Sequence, residues 1–387
     1  SPRDASDLSR RWDRTLAILS RIAGGTLGNA VHAYTDGDEF LDDLWAAIDG
    51  AERRVWIETY MLEDDRVGLR TLAALERAVQ RGCDTALVLD AVGSFDLPRE
   101  RLDALRAAGA TVVEFNPVLA DDRRQRTLLN RDHRKIVSID DRIAFVGGMN
   151  LSEDYAGPRH GRGTFLDCHL QVRGPAAADL GSIVASVLAE AGVPAPSVAW
   201  GGASQGGAFA QVLESTGRAG KRQIQRAMRV VFRRSLRSVD IATPYFVPSP
   251  RVLRSLERAA RRGVRVRLLV AGRSDVPVAT LAARHVYRRL LRAGVHVHEL
   301  QTGVLHAKVA IADGVYAMVG SFNLDWWSDV RNLEVKVGLV DAETIGQLCA
   351  WFEALVATAH KVTVATEARR GWLDRALGWI AYHLLRL

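Results

Sequence analysis

The sequence carries one short pattern of histidine, lysine, aspartate and asparagine twice. His133, Lys135 and Asp140 form an H-x-K-x4-D motif, and a Gly-Gly-Met-Asn run ending at Asn150 follows it. The second copy has His306, Lys308 and Asp313, followed by a Gly-Ser-Phe-Asn run that contains Ser321 and ends at Asn323. With ten histidines and five lysines in the chain, roughly 0.1 H-x-K triplets are expected by chance. Two complete copies therefore indicate a function.

Each copy supplies an imidazole, an ammonium and a carboxamide, which together suit a phosphate. Residues i and i+2 of a strand share a face, so His133 and Lys135 are expected to point the same way, as are His306 and Lys308. Lysine and asparagine can hold the non-bridging oxygens while histidine approaches phosphorus. The predicted phosphate-binding residues are Asn150, Asn323 and Ser321. Two ordinary hairpins with surface histidines, the alternative, would not keep every polar residue in both copies.

Two histidines can divide the work of phosphodiester chemistry. One attacks phosphorus and forms a phosphohistidine, while the other protonates the leaving alkoxide and then deprotonates the acceptor. Each imidazole needs a carboxylate that fixes its tautomer, and Asp167 and Glu334, downstream of the two motifs, are the candidates. Asp140 and Asp313 complete the catalytic motifs, but we expect them to brace the hairpin turns.

The charge of the chain favours an anionic partner, and its motifs favour chemistry without a metal or cofactor. The formal net charge is +7 and the pI about 9.6, which suits nucleic acid, acidic lipid headgroups or a phosphorylated substrate. No H-E-x-x-H motif or carboxylate cluster suggests a metal site. Three widely spaced cysteines indicate a reducing compartment without a disulfide framework.

Alternating helix and strand patterns predict an α/β fold that is built twice. The octapeptide L-E-R-A-V-Q-R-G at 75–82 returns as L-E-R-A-A-R-R-G at 256–263, which indicates a tandem duplication. We expect two lobes, each a mixed β-sheet flanked by helices. Helices are predicted over 6–23, 36–48, 69–81 and 252–262, and strands over 54–61, 85–90, 135–138, 143–146, 239–246, 264–270, 308–312 and 316–319.

The predicted lobes span residues 1–195 and 196–365. The first lobe has an additional arginine-rich stretch at 121–131. Proline and glycine at 193–207 interrupt every periodicity, so this joint is either a flexible linker or an ordered loop over the site.

The predicted third segment, 366–387, is an amphipathic C-terminal helix. Its apolar stripe allows two interpretations, a helix docked on the body or a helix at a membrane surface. The stripe consists of Leu373, Leu377, Ile380, Leu384 and Leu387. Tryptophans that could reach a membrane interface, although packing in the core is the alternative for each, are Trp12, Trp326, Trp327, Trp372 and Trp379.

The double motif resembles the phospholipase D superfamily, and the resemblance covers nearly the whole chain. It implies two α/β lobes related by a pseudo-twofold axis, with one active site at their interface. It also implies that His133 is the nucleophile and His306 the general acid and base, although the symmetry of the motifs alone does not distinguish them.

Several stretches are similar to bacterial cardiolipin synthases of the shorter type, without N-terminal transmembrane helices. They include D-G-D-E-F at 36–40, I-E-T-Y at 57–60, D-C-H-L-Q-V-R-G-P at 167–175 and G-S-F-N-L-D at 320–325. This resemblance implies transfer of a phosphatidyl group from phosphatidylglycerol to a second lipid alcohol, with release of glycerol. Gly148 stands where the second copy has Ser321, which is expected to remove one hydroxyl contact to phosphate.

The predicted location is the cytoplasmic face of a bacterial inner membrane, with peripheral attachment to anionic phospholipid. No run of 18 apolar residues is present, and the Ser-Pro start leaves a removed leader as an open alternative. Alternative functions are a phospholipase D hydrolase, a phosphodiesterase or nuclease on nucleic acid, and a lipid-binding scaffold without catalysis. Nucleic acid is the less favoured partner, because small nucleases of this type are single repeats that dimerise. The sequence leaves the oligomeric state open.

Overall fold

The computed structural model describes residues 2–117, 130–217 and 220–386. The helices are α1 (Pro2–Ala23), α2 (Gly37–Asp49), α3 (Arg66–Gln80), α4 (Arg99–Ala108), α5 (Pro175–Glu190), α6 (Gln223–Arg234), α7 (Pro250–Arg261), α8 (Pro277–Arg292), α9 (Trp326–Val330), α10 (Ala342–Thr358), α11 (Val364–Ala368) and α12 (Trp372–Leu384). The arginine-rich stretch predicted at 121–131 lies mostly outside the described residues.

The strands are short and mostly buried. They are β1 (Thr26–Tyr34), β2 (Arg54–Thr59), β3 (Asp84–Asp90), β4 (Thr111–Phe115), β5 (Ile136–Ile139), β6 (Ile143–Gly147), β7 (Phe165–Leu166), β8 (His169–Arg173), β9 (Ala208–Thr216), β10 (Ser238–Thr243), β11 (Arg265–Ala271), β12 (His296–Leu300), β13 (Val304–Leu305), β14 (Val309–Ala312), β15 (Tyr316–Gly320), β16 (Leu333–Val340) and β17 (His360–Val362).

Within the described residues, fifteen strands form one sheet whose two halves repeat each other. The order is β17-β12-β11-β10-β14-β15-β16-β9-β1-β8-β6-β5-β2-β3-β4. Reading outward from the central β9–β1 pair, β16, β15, β14, β10, β11 and β12 correspond to β8, β6, β5, β2, β3 and β4. The predicted duplication and mixed α/β lobes are confirmed, and antiparallel pairing of β1 with β9 joins the lobes edge to edge.

Helices cover both faces of this sheet, and the two lobes share the core on one face. One apolar cluster contains residues of α5 and α10 together with strands of both lobes. The opposite face is covered separately, by α2, α3 and α4 in the first lobe and by α1, α6, α7 and α8 in the second. Burial of apolar surface therefore holds the lobes in one arrangement.

Two aspartates brace the motif hairpins, as the sequence predicts. Asp140 has a φ of 54° and lies in the β5–β6 turn. Its carboxylate accepts the backbone N–H groups of Glu52 at 3.0 Å and of Arg53 and Arg54 at 2.8 Å. The turn is thereby fixed to the start of β2.

Asp313 does the same in the β14–β15 turn, with a φ of 56°. It accepts the backbone N–H groups of Leu236, Arg237 and Ser238 at 2.7–3.2 Å, just before and at the start of β10. Trp12 Nε1 donates to the same carboxylate at 2.9 Å. Trp12 is buried in the core, so the hypothesis that it lies at a membrane interface is wrong.

The predicted joint at 193–207 contains no helix or strand. Its contacts lie along α5 and β1: Ser182 Oγ donates to Val198 O at 3.4 Å, and Gln205 N donates to Gly28 O at 2.9 Å. No residue of the joint lines the pocket described below. The predicted domain boundaries at 195 and 365 stay predictions.

The C-terminal segment divides into α11 and α12, and α12 packs against α8 with an unexpected face. Gly378, Ala381 and Tyr382 are buried. A Cβ at Gly378 would lie 3.0 Å from Leu281 O, so this glycine permits close approach. The predicted stripe faces outward instead: the side chains of Leu373, Leu377, Ile380 and Leu384 are exposed, while Leu387 lies outside the described residues.

We predict that Asp313→Ala lowers the free energy of unfolding by roughly 3 kcal/mol, because four donors lose a charged acceptor. Asp313→Asn should cost less, since asparagine tolerates the positive φ and keeps one acceptor oxygen. Urea unfolding followed by circular dichroism measures both, with the exposed Asp13→Ala as control. Equal, small effects of Asp313→Ala and Asp13→Ala would contradict the bracing role.

Candidate active site

The backbone next to each catalytic histidine pairs with a short segment of the other lobe. β13, just before His306, pairs in parallel with β7, just before Asp167. Asp132, just before His133, bridges in parallel to Leu333, just before Glu334. The backbone N–H of His306 donates to Leu166 O at 2.8 Å, and that of His133 donates to Leu333 O at 3.0 Å. Each histidine is therefore positioned by the other lobe.

Because of this pairing, each histidine contacts a carboxylate that belongs to the other lobe. His133 Nδ1 lies 3.1 Å from Glu334 Oε2, and His306 Nδ1 lies 2.6 Å from Asp167 Oδ2. The sequence predicts both carboxylates but not which histidine each one contacts. A carboxylate at Nδ1 leaves Nε2 of the same ring for chemistry.

The motif lysines lie beside their histidines in each half. Lys135 Nζ donates to His133 O at 2.7 Å, and Lys308 Nζ lies 2.7 Å from His306 Nδ1. Lys308 is also 3.9 Å from Asp167 Oδ2. Burial, followed by the charge of Lys308, lowers the pKa of Lys135 to about 7. Burial lowers that of Lys308 to about 8, while Asp167 opposes the change.

Both imidazoles favour the neutral form in this environment. Burial and Lys308 lower the pKa of His306 to about 4, although Asp167 opposes them. Burial and Lys135 lower that of His133. Burial raises the pKa of Asp167, but Lys308 and His306 hold it below its ordinary value. An anionic group placed between the rings would favour their protonation.

The two motifs open onto one pocket of about 530 Å³. His133 and His306 line it, as do Asn150 and Asn323. Asn150 Nδ2 donates to Tyr155 OH at 2.8 Å. Asp140 and Asp313 do not line it, because their carboxylates are turned to the backbone at the other end of the hairpins. The space accommodates a phosphate and part of its substituents.

Ser321 does not bind in this pocket, so its predicted contact to phosphate is wrong. It is fully buried and its hydroxyl donates to Glu334 Oε2. Ser328 Oγ donates to the other oxygen, Glu334 Oε1, at 2.7 Å. The two hydroxyls orient the carboxylate that contacts His133.

Gly148 occupies the position that corresponds to Ser321, and the absence of a side chain there also has a local reason. A Cβ built there would lie 2.2 Å from Asp167 Oδ1 and 2.6 Å from Oδ2. The expectation that the missing serine costs a phosphate contact is therefore wrong. Glycine makes room for the carboxylate that contacts His306.

Several site residues escaped the sequence analysis because their neighbours are distant in the chain. Tyr60 follows β2 and Tyr245 follows β10, and their rings lie 5.0 and 6.4 Å from those of His133 and His306. The two tyrosines lie one position apart when the repeats are aligned, because Leu62 and Phe246 make the corresponding bridges to the residues after Asn150 and Asn323. Comparison of the repeats therefore does not reveal this pair. Lys336 is buried too and donates to Lys308 O, and burial and Lys308 lower its pKa to about 7.

The family model described as "Cardiolipin synthase, PLD-like domain" matches residues 44–160 and 228–356. Each matched segment contains one H-x-K motif. The chain belongs to this family. The predicted resemblance to the phospholipase D superfamily is confirmed.

Curated relatives agree over most of the chain. It is 33% identical to cardiolipin synthase B of Salmonella typhi over 370 residues, which cover 93% of this chain and 88% of that protein. It is 32% identical to the probable cardiolipin synthase YwiE of Bacillus subtilis, over 89% and 69% of the two chains. The chain is a phospholipase D-type phosphatidyltransferase, which confirms the predicted enzyme class.

A solved structure shares the fold. Phosphatidylserine synthase of Haemophilus influenzae matches 97% of this chain and 99% of its own with a TM-score of 0.76. Sequence identity is 13%, so this likeness supports the architecture alone. In the described part of the chain, no helix has the length and hydropathy needed to cross a membrane.

We predict that Gly148→Ala lowers kcat about 100-fold, because the new methyl group displaces Asp167 and with it His306. Gly148 has no positive φ, so the effect is steric. Gly346→Ala is the matched control, since a Cβ there meets nothing within 4 Å. Phospholipid turnover by the two purified variants is the measurement. Similar rates for both would contradict this explanation of the glycine.

Proposed function

We propose that the protein transfers a phosphatidyl group from phosphatidylglycerol to the hydroxyl of a second lipid. The phosphatidyl group passes through a phosphohistidine, and glycerol leaves. The observation that carries this proposal is the pair of histidines on one pocket, each held at Nδ1 by a carboxylate of the other lobe. Membership of the cardiolipin synthase family supports the choice of lipid.

In this mechanism His133 is the nucleophile. Glu334 contacts its Nδ1, so the Nε2 lone pair is free to attack phosphorus. Its side chain is also the more accessible of the two, at 12% against 6% for His306. The bond between phosphorus and the glycerol oxygen breaks as the bond to Nε2 forms.

His306 is then the general acid and base. Its contact with Asp167 is the shorter of the two, 2.6 Å against 3.1 Å, which suits a ring that becomes imidazolium. The bound phosphodiester supplies the negative charge that raises its pKa from about 4. It gives its proton to the leaving glycerol oxygen and takes one from the incoming lipid hydroxyl.

The asparagines hold the phosphate while this happens, since Asn150 and Asn323 provide amide groups at the pocket wall. Lys135 and Lys308 do not line the pocket and provide charge from beside the two histidines. Concentrating positive charge where oxygens become more negative lowers the barrier. Water in place of the lipid hydroxyl would give hydrolysis, so the balance between transfer and hydrolysis depends on how fully lipid fills the pocket. We place the enzyme at the cytoplasmic face of a bacterial inner membrane, attached to anionic phospholipid.

Phosphatidylglycerol vesicles test the reaction. We expect release of glycerol together with cardiolipin, and a loss of about 10²–10⁴-fold for His306→Ala. The exposed His360→Ala is the matched control and should retain activity. Phosphatidate without cardiolipin would identify a hydrolase. Intact lipid together with cleaved single-stranded DNA would overturn the proposal.

A substrate with a good leaving group separates the two histidines. With phosphatidyl-p-nitrophenol no acid is needed, so His306→Ala should release a burst of one equivalent of p-nitrophenol and then stall. His133→Ala should give no burst and no labelled protein. Stopped-flow absorbance and acid-labile labelling of the enzyme measure this. A burst from His133→Ala but none from His306→Ala would reverse the assignment of the two roles.

A further inference from the structure

One face of the second lobe concentrates arginines that the proposed chemistry does not use. On α6 and the residue before it, Arg222, Arg226, Arg229 and Arg233 recur at intervals of four, three and four residues, which places them on one side of the helix. The apolar side of α6 is buried against the core.

The neighbouring helix α7 faces them with a second row. Arg251, Arg254 and Arg258, and Arg262 at its C-terminal end, follow the same helical periodicity. The two rows line a groove between α6 and α7, with cavities of about 450 and 600 Å³ along it. We call this feature the arginine groove.

Few carboxylates balance this charge. Asp329, at one end, pairs with Arg222 at 2.8 Å, and Glu257 of α7 is turned away to Arg289. In the described part of the chain, no ion pair involves Arg226, Arg233, Arg251, Arg254 or Arg258. Burial and the charges of Arg251 and Arg222 lower the pKa of Arg229. Positive charges held together in this way favour an anionic ligand.

The groove meets the C-terminal end of α12. Trp326 lines the groove, and the Arg386 guanidinium, just beyond α12, lies 5.5 Å from the centre of its indole ring. The residues adjacent to these two in the chain, Trp327 and Leu385, line the active-site pocket. The groove, the C-terminal end of α12 and one wall of the pocket are therefore adjacent.

The outward face of α12 is apolar. Leu373, Leu377, Ile380 and Leu384 are 51–59% exposed, and Trp372 is 76% exposed. A row of this kind on a helix already docked by its other face is typical of insertion at a lipid interface. The row lies beside an arginine groove whose positive charge few carboxylates balance. This favours an anionic bilayer as the partner over a second copy of the protein, which would bring the same basic face.

We propose that the arginine groove and the exposed side of α12 together form the surface that docks on an anionic phospholipid bilayer. The arginines bind lipid phosphates at the surface, and the leucines enter among the acyl chains. This rests on the proposed function only in taking lipid as the substrate. Docking in this orientation places the wall of the pocket that contains Trp327 and Leu385 next to the lipid.

Vesicle flotation tests the surface without requiring turnover. The groove variant carries Arg226→Gln, Arg233→Gln, Arg254→Gln and Arg258→Gln. The control removes the same charge from exposed positions in the first lobe: Arg99→Gln, Arg101→Gln, Arg106→Gln and Arg142→Gln. All proteins carry His306→Ala, which slows turnover of the lipids by about 10²–10⁴-fold. On equimolar phosphatidylcholine and phosphatidylglycerol we expect at least roughly tenfold weaker binding for the groove variant alone. On pure phosphatidylcholine the two variants should bind alike.

The α12 side is tested by Leu377→Ser with Ile380→Ser, two exposed positions whose replacement leaves the buried face intact. Binding to the mixed vesicles should weaken and become more sensitive to salt, because only the electrostatic part remains. Unchanged binding, with light scattering showing a dimer that becomes a monomer, would identify a second copy as the occupant and overturn the proposal.

Three further outcomes would overturn docking through the groove. The first two are that the parent and the groove variant bind the vesicles equally, or that the groove and control variants lose vesicle binding to the same extent. The third is that the groove variant loses binding to single-stranded DNA but keeps its binding to vesicles. Turnover of monomeric dihexanoyl phosphatidylglycerol keeps the proposed function separate. The groove substitutions, made without His306→Ala, should leave that turnover unchanged. A protein that binds vesicles through the groove but turns over no lipid would leave docking standing and remove the proposed function.

Discussion

The contact between each histidine and a carboxylate of the other lobe is the constraint on which the site depends. Neither lobe contains a complete acid–base unit, since Glu334 serves His133 and Asp167 serves His306. The β7–β13 pair and the Asp132–Leu333 bridge deliver these contacts. The continuous sheet and the core shared by α5 and α10 keep the two lobes in register, so that distances of about 3 Å can persist across the interface.

Much of the fold follows from local sequence patterns. The repeated octapeptide and the alternation of helices and strands predict the duplicated α/β lobes. The aspartates at the hairpin turns are predicted for a reason that holds in the structure, because a short acidic side chain tolerates positive φ and accepts backbone N–H groups. The repeats and the positive φ of the turns depend on neighbours within a few residues or on the comparison of two repeats. The N–H groups that the two carboxylates accept are distant in the chain, at the starts of β2 and β10, and no local pattern identifies them.

The remaining features depend on contacts that no local pattern encodes. Ser321 has the right chemistry for phosphate, yet its hydroxyl meets Glu334, which approaches from an adjacent strand. The periodicity of 373–384 indicates an amphipathic helix, but not that the small residues Gly378 and Ala381 form the docked face. Close approach against α8 favours that face, and this choice becomes visible only when both helices are in place. The sequence shows the periodicity of the arginines on α6 and α7, but it does not show that the two rows line one groove.

Fusion of the two repeats in one chain has a consequence for how the halves can diverge. In a symmetric homodimer a single residue type must serve both copies of a position, so a serine that suits one carboxylate must suit the other. Here the first half combines Gly148 with Asp167 and the second combines Ser321 with Glu334, two different solutions to the placement of one carboxylate. A single gene for a single repeat could not encode both. The fused chain can therefore specialise one histidine for attack and the other for proton transfer, each within surroundings of its own.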